Sequence, residues 1–380
     1  MLLQRTCRFR NPSVLSQPSD ECNIYSVLTT TVLAMKVPAE TVPGENNMFN
    51  NSEWLQQISE EVIDPHRDIV DPHHHLWPQP SMGYNLAELL SDTTDGHKVS
   101  QTVYMECGAA YYREGPEHLK CVGETEFVTN AAQLAIKQNS QTQIAALVAS
   151  ADLRHKHLHS VLDAHEEVSN GLFRGVRQAG ACSEGIEGLL IPGGAEAGLF
   201  EQDLFRRGVE HLGIRGLTFD TWLYHFQLPE FIALARAVPN TTMILDHFGT
   251  PLGVGHFADQ RDTIFEKWKC DITELADCPN VFMKIGGLAM PDNGFGWFGR
   301  DVPPSSDEFI EAQSPYYDHT LACFGPDRCM FESNFPVDRL SVGYRVLWNA
   351  FKKISSHYSE DEKDLLFSGV ARQVYRLKTP

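Results

Sequence analysis

The 380-residue chain has no run of about 18 uninterrupted apolar residues, so no membrane-crossing helix and no membrane partner are expected. Its nine cysteines, at 7, 22, 107, 121, 182, 270, 278, 323 and 329, form no CxxC pair and no regular framework. That argues for a reducing, cytoplasmic setting in which the thiols are mostly buried. Positive charge is also scarce: 31 Lys and Arg face 50 Asp and Glu, a formal net charge of −19. A polyphosphate backbone would be repelled, which sets nucleic acid aside as a partner. No glycine-rich phosphate loop follows the first strand-like run, and from residue 66 onward there is no internal repeat or low-complexity segment.

What remains is an ordinary globular composition, 42% hydrophobic and 21% charged. A barrel of roughly 250 to 300 residues fits within it. Residues 1–60 read as a disordered or loosely ordered extension and 61–380 as the folded domain. Within the extension, Arg5, Arg8 and Arg10 among Ser and Thr hint at an organelle transit peptide, but Asp20 and Glu21 interrupt the acid-poor pattern. The polar run Pro43-Gly44-Glu45-Asn46-Asn47 reads as loop.

From residue 66, short β-branched runs alternate with longer amphipathic ones, which is the pattern of repeated strand–helix units. Eight strands are predicted: Ile69 to His75, Thr102 to Cys107, Ile144 to Asp152, Phe173 to Gln178, Ile214 to Asp220, Met243 to Phe248, Val281 to Gly287 and Met330 to Phe335. Helices are predicted between them, such as Leu228 to Val238 and Arg261 to Asp277, and capping boxes at Ser305 to Glu308 and Ser359 to Glu362. Polar residues gather where the strands end, at Asp71, His73 to His75, Glu106, Arg177, Asp220, His247 and Asn334. Barrel enzymes carry their chemistry there, so the expected fold is α/β, a single (β/α)8 TIM barrel.

The strongest local signal is DPHHHLW, Asp71 to Trp77. Strand alternation sends His73 and His75 to one side and His74 to the other, and two imidazoles so placed can bind one divalent ion such as zinc. The plain alternative is a polar strand end whose histidines only hydrogen-bond.

Four motifs in order, DPHHHLW, LDHFGTP (Leu245 to Pro251), NVFMKIGGL (Asn280 to Leu288) and MFESNFPVD (Met330 to Asp338), resemble the amidohydrolase-related family of the amidohydrolase superfamily. The likeness runs from about residue 66 to the C-terminus. It implies a hydrolase of small cyclic esters or amides, lactones above all, with one divalent metal ion, zinc first, held by His73, His75 and His247; His225 is a further candidate ligand. A neighbouring branch decarboxylates, so metal-dependent decarboxylation is the second reading, and a catalytically inactive binding module the third. One departure stands out: where most of the superfamily ends strand eight with aspartate, this chain has Asn334, an amide that is neither a base nor a good ligand. Glu332 and Glu106 are the carboxylates that could take the proton instead, with Asn334 itself kept among the catalytic candidates.

Around these, Arg177 is expected to hold a carboxylated small-molecule substrate, its alternative being a salt bridge to Asp152 or Asp220. Asp220, His225, Trp77 and Tyr224 complete the expected substrate pocket, and a homo-oligomer is allowed for. Lys284, mid-strand, should need a carboxylate partner. His155, His157 and His159 read as solvated surface, and Gly294 to Phe298 as a mobile loop over the barrel mouth.

Overall fold

The structure, a computed structural model, describes residues 49–79 and 82–379. Eight parallel strands pair in sequence order: β1 (Asp68–His74), β2 (Lys98–Met105), β3 (Gln143–Ser150), β4 (Phe173–Arg177), β5 (Thr218–Thr221), β6 (Met243–Leu245), β7 (Val281–Ile285) and β8 (Cys329–Phe331). Bonds from Asn334 N to the His73 carbonyl (3.0 Å) and from His75 N to the Phe335 carbonyl (2.8 Å) bring the last strand back to the first and nearly close the barrel. Between the strands run α1 (Ser52–Leu55, ahead of β1), α2 (Leu86–Thr93), α3 (Val122–Lys137), α4 (Leu158–Val168), α5 (Asp203–Ile214), α6 (Leu228–Ala237), α7 (Arg261–Ala276), α8 (Ser306–Phe324) and α9 (Tyr344–Ile354). The expected (β/α)8 architecture is therefore present.

Two layers of core follow from strand alternation. Outward side chains such as Ile69, Phe219, Leu245 and Phe331 pack under the helices. Inward ones, Val70, Val103, Met105, Val148, Ile244 and Met330, fill the barrel, and Val370, Val374 and Tyr375 of the C-terminal segment plug its lower end. With the bottom sealed by hydrocarbon, polar chemistry is confined to the top.

Each predicted strand is present, shifted by a few residues, and one start needs correcting. Ile214 is the last residue of α5 and 77% exposed, not a strand residue. Gly216 (φ +68°) ends the helix in the left-handed region, so β5 begins only at Thr218. The Ser359 capping box is complete; Ser305 does cap Glu308 N, but the Glu308 carboxylate turns to Arg300 instead.

Residues 49–60 of the expected extension make contacts with the barrel. Phe49 stacks on Trp77 (centroids 5.6 Å apart), Trp54 Nε1 donates to the Arg300 carbonyl (2.7 Å), and Glu60 accepts from Ser306 N, Ser306 Oγ and Asn349 Nδ2. Arg339 reaches the Phe49 carbonyl and Ser52 Oγ. Residues 49–60 are docked on the barrel because their aromatic rings and one carboxylate find partners there; the remainder of the expected extension, and its transit-peptide reading, lie outside the described residues. A chain shortened to begin at Glu61 is expected to unfold at lower urea than one beginning at Phe49, by several kcal/mol in extrapolated stability given a lost buried aromatic and about five hydrogen bonds. Coincident urea curves would show that the docking contributes nothing.

Candidate active site

His73 and His75 leave β1 on its inner side, while His74 turns outward, its Nε2 3.0 Å from Thr102 Oγ1 and its ring against Tyr104. A register irregularity between Asp71 and His74 includes His73, and Asp71, accepting from Ser333 N and Tyr344 OH, anchors that kink. Burial pushes the Asp71 carboxyl up to about 6 despite those bonds. His247 follows β6, and its ring centroid is 4.5 Å from that of His73.

The hydrogen-bond partners fix how each ring points. His75 Nδ1 lies 2.9 Å from the Met105 carbonyl, which can only accept, so that nitrogen carries the proton. His247 Nδ1 is 2.7 Å from Glu332 Oε1, and His73 Nδ1 is 2.8 Å from Glu332 Oε2. Burial raises the Glu332 carboxyl, but His247 and then His73 more than offset it and hold it at about 2, so it too only accepts. His75 and His247 thus present bare Nε2 lone pairs, and the approach of Glu332 Oε2 to His73 Nδ1 favours the same tautomer there. The Nε2 atoms of His73 and His75 face each other at 3.2 Å. Two lone pairs at that distance repel unless a cation or proton lies between them, and the spacing suits two ligands on one ion with bonds of about 2.0–2.1 Å.

The sequence reading missed one member of this group. His73, Asp246 and His247, all buried, bring one ligand atom each to within 4.8 Å of one another, the one such set among the described residues. Asp246 and His247 are neighbours and strand alternation should separate them, but His247 has φ +54°, outside extended backbone, which lets both side chains face the centre.

Below lies a second charged layer. Lys284 Nζ is 3.0 Å from both Asp220 Oδ2 and Asp246 Oδ1 and 3.3 Å from His73 Nδ1, all fully buried. Burial lowers the lysine, but Asp246 and Asp220 outweigh it and raise it above its usual value. Asp246, raised by burial, is brought down overall by Lys284, His247 and Arg177. His73 is driven well below the usual imidazole range, by burial first and then Lys284, and His75 likewise by burial and then Arg177. Both environments disfavour the charged imidazolium.

Arg177 lies across the mouth side. Its Nε donates to Glu106 Oε1 (3.0 Å), Nη2 donates to the Glu106 carbonyl, and Nη1 is 3.4 Å from both Asp246 Oδ2 and His73 Nε2. The alternative salt bridges do not form: Asp152 pairs with Arg154 and Asp220 with Lys284. Four carboxylates, Glu106, Asp220, Asp246 and Glu332, meet two cations, Arg177 and Lys284. The surplus of negative charge in a dry site adds to the case that the residues fit a divalent cation.

Several expected pocket residues lie elsewhere. Asp220 sits a layer down, bonded to Lys284, Thr218 and Tyr375, since its inward direction on β5 points at the lysine. His225 accepts from Leu252 N and packs on Phe257, outside the converging set; burial lowers it to about 4. The Tyr224 hydroxyl bridges Gly193 N and the Ile191 carbonyl, pinning a loop. Trp77 backs the His75 ring at 5.1 Å. Asn334, at φ +55°, gives its amide to Asp338 (2.8 Å). The expected mobile loop is packed instead: Trp297 is 3% exposed between Phe295 and Phe309, and Arg261 lies over the Phe295 ring. His155 and His157 stack on His118, and the exposed His159 ring tilts against His211.

Two glycines of β7's end make room for the centre. A Cβ on Gly286 would meet Glu332 Cγ at 2.5 Å, and one on Gly287 (φ +78°) would meet His247 Nδ1 at 2.2 Å. Gly287→Ala should push His247 off Glu332 and cost about a hundredfold in turnover with the secondary structure retained. Wild-type turnover by a folded Gly287→Ala protein would show that the placement of His247 is immaterial.

The family model described as amidohydrolase matches residues 70–377. Uncharacterized protein y4mH of Sinorhizobium fredii is 31% identical over 328 residues, 81% of this chain and 98% of that one. An L-fucono-1,5-lactonase of Burkholderia multivorans is 30% identical over 177 residues, 46% of this chain and 57% of that one. Among solved structures, an amidohydrolase from Burkholderia multivorans with bound zinc superposes with a TM-score of 0.61 at 22% identity, covering 82% of this chain and 99% of that one.

Proposed function

The chain belongs to the amidohydrolase family, whose model spans most of its length, and on that footing we propose that this hydrolase opens a lactone. The lactonase names of its curated relatives support the substrate class. The observation that carries the reading is the buried 2.7 Å contact between His247 Nδ1 and Glu332 Oε1, a base held in one tautomer by a carboxylate.

Burial first, and then Lys284 and Arg177, disfavour a proton on His73 and His75, and His247, whose Nδ1 is tied to a carboxylate, is the ring that takes the proton. His247 Nε2 accepts a proton from water, and the oxygen adds to the carbonyl carbon. Arg177, oriented by Glu106, donates to the oxygen that gains charge. Collapse breaks the ring C–O bond, and His247 returns its proton to the departing ring oxygen, giving the hydroxy acid. Glu332, ionised throughout, is the positioning carboxylate, and Asn334 holds the strand-eight loop to Asp338. A divalent cation, zinc by likeness to the zinc-bound neighbour, would be held by His73 and His75, whose Nε2 atoms face each other, and by Asp246, whose ligand atom groups with those of His73 and His247. Such an ion, when bound, polarises a carbonyl and acidifies water.

Acid release from a panel of γ- and δ-lactones, followed with an indicator in weak buffer, tests this. Turnover of at least one ring class is expected. No release from any of them, by protein supplied with zinc and without it, would end the lactone reading.

A further inference from the structure

Above the centre, the loops after β4, β6, β7 and β8 enclose about 990 Å³ of space, at the upper end of small-molecule sites. All four loops leave C-terminal strand ends, so the groove opens on the same face as the histidines. The groove and the centre share the loop after β7: Ala289 in the groove wall lies two residues after Gly287, which abuts the His247 ring.

Its walls are hydrocarbon, with Leu189, Leu190, Val254, Met290, Phe295 and Phe298 among them. Glu187, Asp292 and Ser341 are the lining residues that carry carboxyl or hydroxyl groups. Asp292 is committed, its two oxygens accepting from Leu190 N (2.7 Å) and Ile191 N (2.8 Å). The Trp297 indole is engaged with Glu308. Ser341, which also lines the groove, is 1% exposed and its buried Oγ has no partner. Apart from Glu187 at the exposed rim, the side chains of these walls offer a polyhydroxylated arm few partners, whereas an alkyl or aryl arm needs none.

Resting on the lactone reading, we propose that this groove takes a hydrocarbon arm of the substrate, so that the preferred lactone carries an alkyl or aryl substituent of several carbons rather than the hydroxyls of a sugar acid. Ser341 Oγ meets a polar atom where that arm joins the ring.

Binding of linear carboxylates from propanoate to decanoate to the full chain, by calorimetry, reads the groove without needing turnover. Kd should fall about fourfold per added methylene until the groove is filled. Val254→Asp and Phe298→Asp should flatten that series while leaving propanoate binding and turnover of an unsubstituted lactone as in the wild type. Val254 is the N-cap of a short turn, where aspartate is well accommodated, and Phe298 is 45% exposed, so both variants should fold. A flat wild-type series, or an unchanged slope in both variants, overturns the proposal. A steep series with no lactone hydrolysed supports the groove and removes the reaction instead.

Discussion

His247→Asn is expected to lower kcat/KM for lactone opening by about a thousandfold, the middle of the usual range for a lost general base. Asparagine is the right replacement because residue 247 has φ +54°, a conformation asparagine tolerates and alanine does not. The amide can still donate toward Glu332, so the buried carboxylate keeps a partner and the fold should survive. Glu332→Gln is the companion: it leaves the imidazole in place but replaces the carboxylate with an amide that can accept from Nδ1–H or donate to a bare Nδ1, so both tautomers become available and the rate should fall by a smaller factor. Equal rates for His247→Asn and wild type, on a substrate the wild type turns over, would take His247 out of the chemistry.

Lys284→Met should be the most destabilising single change in the barrel. It removes the cation that touches both Asp220 and Asp246 in a fully buried layer, and breaking one side of such a pair costs about 3–5 kcal/mol. Urea unfolding should show a midpoint well below wild type with little change of slope. Asp220→Asn added to Lys284→Met should recover part of the loss, because one stranded charge is gone. A single variant as stable as wild type would mean that the lysine's charge is not what holds the two aspartates.

The barrel and its first-strand histidines were legible because they rest on alternation, and His73 and His75 share a side opposite His74 despite the irregularity between Asp71 and His74. Lys284 was legible for a similar reason: a lysine mid-strand in a closed barrel must find carboxylates, and it finds two. Asp246 was hidden by the same rule, since a residue next to His247 should face away, and only the left-handed backbone of His247 brings both inward. Asn334 likewise turns its amide to Asp338 through a positive φ that no side-chain pattern announces. Asp220 was assigned one layer too high because four residues of strand carry no mark of depth. Its partner Tyr375 is 155 positions away, beyond any local pattern.

The state of the three rings can be read directly by ¹H–¹⁵N correlation of the histidine side chains, with single substitutions at 73, 75 and 247 to assign the signals. Protonated Nδ1 and bare Nε2 in all three, together in one folded protein near neutral pH, is the expected spectrum. A proton on Nε2 of His247, with Nδ1 bare against Glu332, would contradict the arrangement on which the hydrolytic role rests.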